Sequence, residues 1–488
     1  MKLTAVGKLL LFLVGLGLVV LAFVRFVPAE DRAKLLDRLR GRTSGAAPSA
    51  AETPAPSADR PTTLTHRLSL SGSNTIGKDL APALAEGFLR KLGASSIDRR
   101  AGKPDEMTIV AVLPDGAAAI EIRAHGSSTA FGDLASGGAE IGMASRRIKT
   151  DEARTLASLG NMLSPACEHV LGLDGVAVIV DPGSSVEALS IDQIRDLFTG
   201  RITDWSAVGG TPGPVALFAR DDRSGTFDTF KSLVLADRPL AASAARYEDS
   251  EKLAADVTAR RGSIGFVGLA YVAGAKALKV HEGGSVPYRP TVFTVRTEDY
   301  LLSRRLYLYS ASNPRNPWVS RFLEFALSHD GQSIVDTIGF VGQSLVDAMT
   351  ERGEPGAEGR AAPAPNAPPE YLRVTQGATR LPLDFRFESG SDQLDNKARR
   401  DVGRLLESLS APANRGREIL LLGFADSQGA EATNLRLSAG RAEAVARELA
   451  AEGIRAGVSR GFGSALPVAS NDSEAGRGRN RRVEVWIR

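Results

Sequence analysis

The sequence predicts an α/β body with largely parallel strands, followed by a smaller α+β unit. Three observations carry this. Short apolar runs at residues 176–180 and 215–218 alternate with helix-period stretches at 191–198 and 319–327, the pattern of strands joined by crossover helices. At 488 residues the chain exceeds what one hydrophobic core serves. Residues 44–63 and 351–369 are dominated by Pro, Ala, Ser, Gly and charge, so they bury no core and read as extended linkers. The expected divisions are a membrane-directed segment at 1–30, a basic then Pro/Ala/Ser-rich linker at 31–65, the body at 66–347, a second linker at 348–370 and the C-terminal unit at 371–488.

The N-terminus carries Lys2 and Lys8, then an apolar run over residues 9–24 that resumes at Phe26 and Val27 after Arg25. Its length lies between a signal-peptide core and a full membrane span, and the Val27-Pro28-Ala29 that follows is a poor cleavage site because the proline crowds it. An uncleaved signal anchor, forming an N-terminal membrane helix, is favoured over a cleaved signal peptide. No cysteine follows the run, which excludes a lipoprotein anchor. Arg25, Arg32, Lys34, Arg38, Arg40 and Arg42 outweigh the basic residues before the segment, so the positive-inside rule alone puts the body in the cytoplasm.

Composition excludes several function classes. A formal charge of +3 is too small to point to nucleic acid. Cys167 is the sole cysteine, so no intrachain disulfide forms, and the 5 histidines lie too far apart for metal-ligand spacing. No cofactor is expected.

The body concentrates small hydroxyl and glycine residues where strands give way to helices. Arg220 precedes Ser224-Gly225-Thr226, which open a helix over 227–235; a guanidinium fork, hydroxyls and bare N–H groups at a helix start suit an oxyanion. A capped surface helix is the plain alternative. Three similar turns follow strands: Ser71-Gly-Ser-Asn-Thr75, Gly126-Ser-Ser-Thr129, and Ser145 after the run 141–144. Open α/β sheets bind ligands at this edge.

These motifs come in a specific order. Together with Gly142-Met-Ala-Ser-Arg146, Asp174-Gly-Val-Ala-Val-Ile-Val180, Leu197-Phe-Thr-Gly-Arg-Ile-Thr-Asp-Trp205, Gly262-Ser-Ile-Gly-Phe-Val267, Gly331-Gln332 and Gly339-Phe-Val341, the body resembles the phosphate-binding proteins of phosphate ABC transporters. The resemblance covers roughly residues 66–345. It implies a two-lobed α/β clamp of type II periplasmic-binding-protein topology that closes on one phosphate and serves a phosphate ABC permease. By carry-over, Thr75 and Ile76, Ser127, Ser145 and Arg146, Arg220, and Ser224, Gly225 and Thr226 form the anion site. Arg146 departs from the family pattern: the best-studied members have there an aspartate that accepts the proton of hydrogen phosphate and rejects sulfate. Inorganic phosphate or a related oxyanion is therefore the expected ligand, with Asp174 or Asp221 as the alternative proton acceptor.

In the C-terminal unit, residues 384–389 alternate as a strand and a helix-period stretch runs through Val402, Leu405 and Leu406. The apolar run 419–423 ends in Phe424-Ala425-Asp426, and a second helix spans 434–449. Arg441 lies one turn after Leu437 and one before Val445, so a charge sits on the buried stripe, either snorkelling or meeting an anion. Gly423-Phe-Ala-Asp426, Asn434, Leu437-Ser438, Arg441-Ala442, Gly461-Phe-Gly463 and Asn480-Arg-Arg-Val-Glu-Val485 resemble the OmpA-like peptidoglycan-binding domain. That implies a β-α-β-α-β-β fold gripping the diaminopimelate stem peptide through Asp426, Asn434, Leu437, Ser438, Arg441 and Arg482. Asp426 would take the ammonium and Arg441 the carboxylate. Ala425 stands where the family usually has threonine. Arg477, Arg479, Arg481 and Arg482 read as a solvated loop leading into an edge strand at 483–487, not as a nucleic-acid patch.

Both resemblances place the protein in a Gram-negative envelope, facing the periplasm, against the charge rule. The expectation is a binding protein and no enzyme: Ser127 or Thr226 could serve as a phosphoester nucleophile beside Arg220, but neither has a nearby general base in the sequence. The alternative is an envelope tether with a repurposed clamp.

Overall fold

The computed structural model describes residues 64–345 and 366–488, apart from Arg223, Asp237, Ser389, Gly390, Asp392 and Arg415. The N-terminal membrane-directed segment, the first linker through residue 63 and residues 346–365 of the second lie outside them. Among the described residues, no helix is long and apolar enough to cross a membrane.

Strands β1 (Leu64–Gly72), β2 (Ser96–Ala101), β3 (Glu106–Leu113), β4 (Gly116–Arg123) and β5 (Ile141–Ala144) form the sheet of one lobe in the order β2-β3-β4-β1-β5. β1 runs parallel to both β4 and β5, which sends their C-terminal ends to one edge. Helix Leu80–Lys91 covers this sheet with Leu80, Leu84 and Phe88. Phe88 meets Phe322 of helix Pro317–Leu327 edge to face at 5.6 Å, a preferred aromatic geometry.

The chain leaves this lobe along β6 (Glu168–Val180), all of whose residues are buried. β7 (Ala188–Ser190), β8 (Ala216–Arg220), β9 (Ala245–Tyr247), β10 (Ser263–Gly268), β11 (Lys276–Ala277) and β12 (Lys279–His281) build the second lobe, and β13 (Ser303–Tyr309) returns to the first. The C-terminal half of β6 pairs antiparallel with β10, while its N-terminal half pairs with β13, which in turn lies beside β5. The continuous order is β2-β3-β4-β1-β5-β13-β6-β10-β8-β9, with β11 on β6. The lobes are thus joined where Gly175 becomes Val176 and Leu302 becomes Ser303, and Val176 N donates to Leu302 O at 2.9 Å across this crossing. This is the α/β body that the strand and helix pattern implied, in the two-lobed form that the resemblance implied, and each lobe has its own apolar core.

The C-terminal domain runs β14 (Thr379–Arg386), helix Asn396–Ser410, β15 (Ile419–Gly423), helix Glu431–Ala451, β16 (Val458–Gly461), helix Glu474–Asn480 and β17 (Arg482–Ile487). Its sheet order is β14-β17-β15-β16, which is the expected β-α-β-α-β-β succession with one short helix added before the last strand. Asp395 caps helix Asn396–Ser410 by accepting from Ala398 N at 2.8 Å. Gly423 lets the long helix lie on the sheet, because a Cβ there would stand 2.0 Å from Ser438 O.

Two expectations are corrected. β17 is no edge strand: it pairs with both β14 and β15, and all its residues are buried. The basic cluster before it is no solvated loop either. Arg477 and Arg479 lie in helix Glu474–Asn480, and Arg482 is 1% exposed, paired to Glu484 at 2.8 Å and stacked over Phe424 at 4.0 Å. Acidic partners from distant segments converge there, so the charges are neutralised inside the protein rather than by water.

Candidate functional site

The parallel arrangement of β4, β1 and β5 brings three of the four predicted turns together. Ser73 N donates to Met143 O at 2.8 Å and Gly126 N to Gly72 O at 2.8 Å, which ties the turns to one another. Ser127 Oγ accepts from Ser145 N at 3.0 Å, so these two predicted residues are in contact. Ile76 is fully buried in the core of this lobe. Arg146 turns to Glu152, donating to both carboxylate oxygens at 2.7 and 2.8 Å, and donates to Ser128 Oγ at 3.2 Å while lying over Phe131. A carboxylate already balances the charge that distinguishes this sequence from its resembling family.

The fourth turn faces them from the other lobe. Ser224 caps helix Gly225–Phe230, which continues as a π-helical turn through Leu235. Gly225 approaches the first lobe closely: a Cβ there would lie 2.6 Å from Thr75 Cα and 2.7 Å from Thr75 Oγ1. Only a glycine lets the two turns meet.

A cavity of about 460 Å³ opens beside this contact. Thr75, Arg220, Ser224, Gly225 and Thr226 line it, with Lys78, Asp79, Asp174, Tyr271 and the segment 248–251. Ile76, Ser127, Ser145 and Arg146 are not among its lining residues. Arg220 is buried at the end of β8. Its Nε donates to Tyr247 O at 3.2 Å, Nη2 to Glu248 O at 2.8 Å and Nη1 to Ser250 Oγ. Each of Nη1 and Nη2 carries a second N–H, so the fork stays able to hold an anion while the backbone fixes its orientation. Burial pushes the Arg220 guanidinium below its ordinary pKa, with Asp221 and Asp249 opposing that shift.

One residue of this site went unread in the sequence. Arg304, on β13, donates from Nη2 to Thr75 Oγ1 at 2.7 Å and to Gly225 O at 3.0 Å, and from Nε to Asp174 Oδ2 at 3.3 Å. It therefore bridges the two lobes beneath their contact. Thr229 Oγ1 also donates to Asp174 Oδ2, at 2.7 Å. The signal available was Ser303-Arg-Arg-Leu306, a pair of charges opening an otherwise apolar strand.

In the C-terminal domain, Asp426 accepts from Arg481 Nη1 at 2.9 Å and from Gln428 N at 3.0 Å. Arg441 is buried, its guanidinium 5.5 Å from the Phe387 ring centroid and Nη1 3.5 Å from Phe424 O. Asn434 and Ser438 are buried, and Ser438 Oγ accepts from Gly463 N at 2.9 Å. Leu437 is 42% exposed, whereas Arg482 faces the internal charge network.

Fold and site together define a two-lobed α/β clamp followed by a second, smaller α+β domain. Residues 109–330 match the PBP superfamily domain, and residues 386–481 match the OmpA family. The phosphate-binding protein PstS of Bacillus subtilis (strain 168) is 26% identical over 223 residues, 46% of this chain and 70% of that protein. The PstS of Pseudomonas aeruginosa PAO1 is 28% identical over 240 residues, 46% of this chain and 73% of that one. Among solved structures, an ABC-type phosphate transport receptor from Vibrio cholerae is 22% identical with a TM-score of 0.44, covering 56% of this chain and 99% of that chain. A possible phosphate binding protein from Planctomyces limnophilus is 23% identical with a TM-score of 0.47, covering 57% and 94%.

Proposed function

We propose that the clamp captures phosphate, or a related oxyanion, as the solute-binding component of an ABC-type uptake or sensing system, and that the OmpA-family domain anchors it to peptidoglycan. The observation that carries this is Arg220, held by backbone carbonyls with N–H groups to spare, beside the helix start at Ser224, Gly225 and Thr226 and facing Thr75 of the other lobe. Thr75, Ser127 and Ser145 supply hydroxyls from the first lobe, and Ile76 a backbone N–H, once the lobes part and reclose on the anion. With Arg146 engaged by Glu152, Asp174 is the acceptor for the proton of hydrogen phosphate.

Asp426 and Arg441 take the ammonium and carboxylate of the diaminopimelate stem, with Arg481 yielding Asp426 to the ligand. Asn434, Leu437 and Ser438 shape that site, and Arg482 supports it from the core. The segment before residue 31 holds the protein at the inner membrane, and the two linkers let the domains at 66–347 and 371–488 face the periplasm. No enzymatic step is assigned.

Equilibrium dialysis of the full chain with labelled phosphate tests the reading. Arg220→Ala should lose roughly 10- to 100-fold in affinity, the worth of a charge-assisted hydrogen-bond pair. Sedimentation with purified wall sacculi should persist in that variant and fall in Arg441→Ala. Unchanged phosphate affinity in Arg220→Ala would remove the clamp from the anion-binding role.

A further inference from the structure

We propose that the C-terminal domain is a strut across the clamp's hinge: by gripping both lobes at their crossing it holds them closed and so sets how readily the oxyanion site opens. This rests on the oxyanion reading above and assigns its regulation.

The seam touches both lobes. On the side of the second lobe, Arg479 donates to Glu298 O at 3.1 Å, Tyr300 O at 2.9 Å and Ser303 O at 2.8 Å, the last at the point where the chain re-enters the first lobe. Arg380 reaches Asp299 at 2.9 Å nearby. On the side of the first lobe, Glu388 accepts from Arg147 at 3.0 and 3.1 Å, and Asn396 Nδ2 donates to Leu163 O at 2.8 Å. A rigid second domain held at both sets of contacts resists rotation of one lobe against the other, because such rotation must pull one set from its partners.

Strand β13 ties the seam to the site. Neighbouring residues of a strand point to opposite faces. Arg304 accordingly reaches Thr75 and Gly225 in the cleft, while Arg305 pairs with Glu298 at 2.7 Å and with Asp395 of the C-terminal domain at 2.8 Å. A clamp that binds its ligand when closed gains affinity in proportion to the fraction already closed. Loosening the strut should therefore weaken binding and speed release.

The test uses the full chain with spin labels at Lys103→Cys and Ala207→Cys, one exposed position on each lobe, in a Cys167→Ala background. Inter-label distances are measured by pulsed dipolar spectroscopy, and phosphate affinity by dialysis. Arg479→Met and, as a milder change at a half-buried pair, Glu388→Gln should lengthen and broaden the ligand-free distance distribution. Each should also raise the phosphate dissociation constant by roughly 5- to 150-fold, the range of ordinary coupling between sites. If Arg479→Met does not fold, Glu388→Gln alone decides. A parental distance distribution in the folded variants overturns the strut, whether or not phosphate binds. A changed distribution in the variants, when the parent binds no phosphate, upholds the strut and removes the oxyanion reading instead.

Discussion

Asp299→Asn is expected to destabilise both domains together. The carboxylate of Asp299 is fully buried in the clamp, 2.9 Å from Arg380 and 3.7 Å from Arg386, both of the C-terminal domain. Arg380, Arg386 and Arg482 meet Glu298, Asp299, Asp384 and Glu484 there. Asparagine keeps the shape, so no cavity forms, but the interior loses one negative charge and Arg380 loses one of its two close carboxylates, Asp384 at 2.8 Å remaining. Breaking a buried pair in this way costs about 3–5 kcal/mol, against a total stability of about 5–15 kcal/mol for a domain. Urea unfolding of the full chain, followed separately by near-UV absorption and by helix content, should show both signals shifting to lower urea. Arg380→Met added to Asp299→Asn should cost less than the two single changes summed, since the pair they share is removed only once. A shift worth less than about 1 kcal/mol would refute a buried ionic seam.

Further expectations concern closure and pH. Gly225→Ala should leave folding intact but keep the lobes apart, because its Cβ would stand 2.6 Å from Thr75 Cα; small-angle scattering should report a larger radius of gyration, and an unchanged radius would count against the closed contact. His169 Nδ1 accepts from Arg400 Nη2 at 2.8 Å across the seam, and burial together with that cation depresses the imidazole pKa to about 4. A depressed histidine binds its proton more readily when unfolded, so stability is full above the ordinary value near 6.5 and falls as pH drops towards 4, by roughly 3 kcal/mol in total. The acid loss between pH 7 and 4.5 should shrink in His169→Gln; an equal loss in that variant would place the titration elsewhere. Glu298 is excluded from that window, because Arg305 and Arg386 outweigh its burial and hold it at about 2.

The strands, helices and turns of the site were legible because their determinants are local. Ser224-Gly225-Thr226 caps its own helix, and Ser73, Gly126 and Ser145 end strands that their own apolar alternation marks. Arg304 escaped because its partners Thr75, Gly225 and Asp174 lie 229, 79 and 130 residues away, where no sequence window reaches. The same reason hid the seam. Nothing in Arg479-Asn-Arg-Arg482 shows that backbone carbonyls and carboxylates of the clamp converge on it, so polarity alone read as solvent exposure. β17 read as an edge because strand order is set by long-range pairing, whereas alternation reports only which face is apolar.

The most direct measurement is calorimetric titration of the full chain with phosphate and with sulfate at pH 8, where phosphate is largely the hydrogen-phosphate dianion. The expected result is one phosphate per chain, with sulfate weaker by a factor on the order of 100, because Asp174 accepts a proton that sulfate lacks and repels an anion without one. Heat from neither anion would contradict the capture role assigned to the clamp.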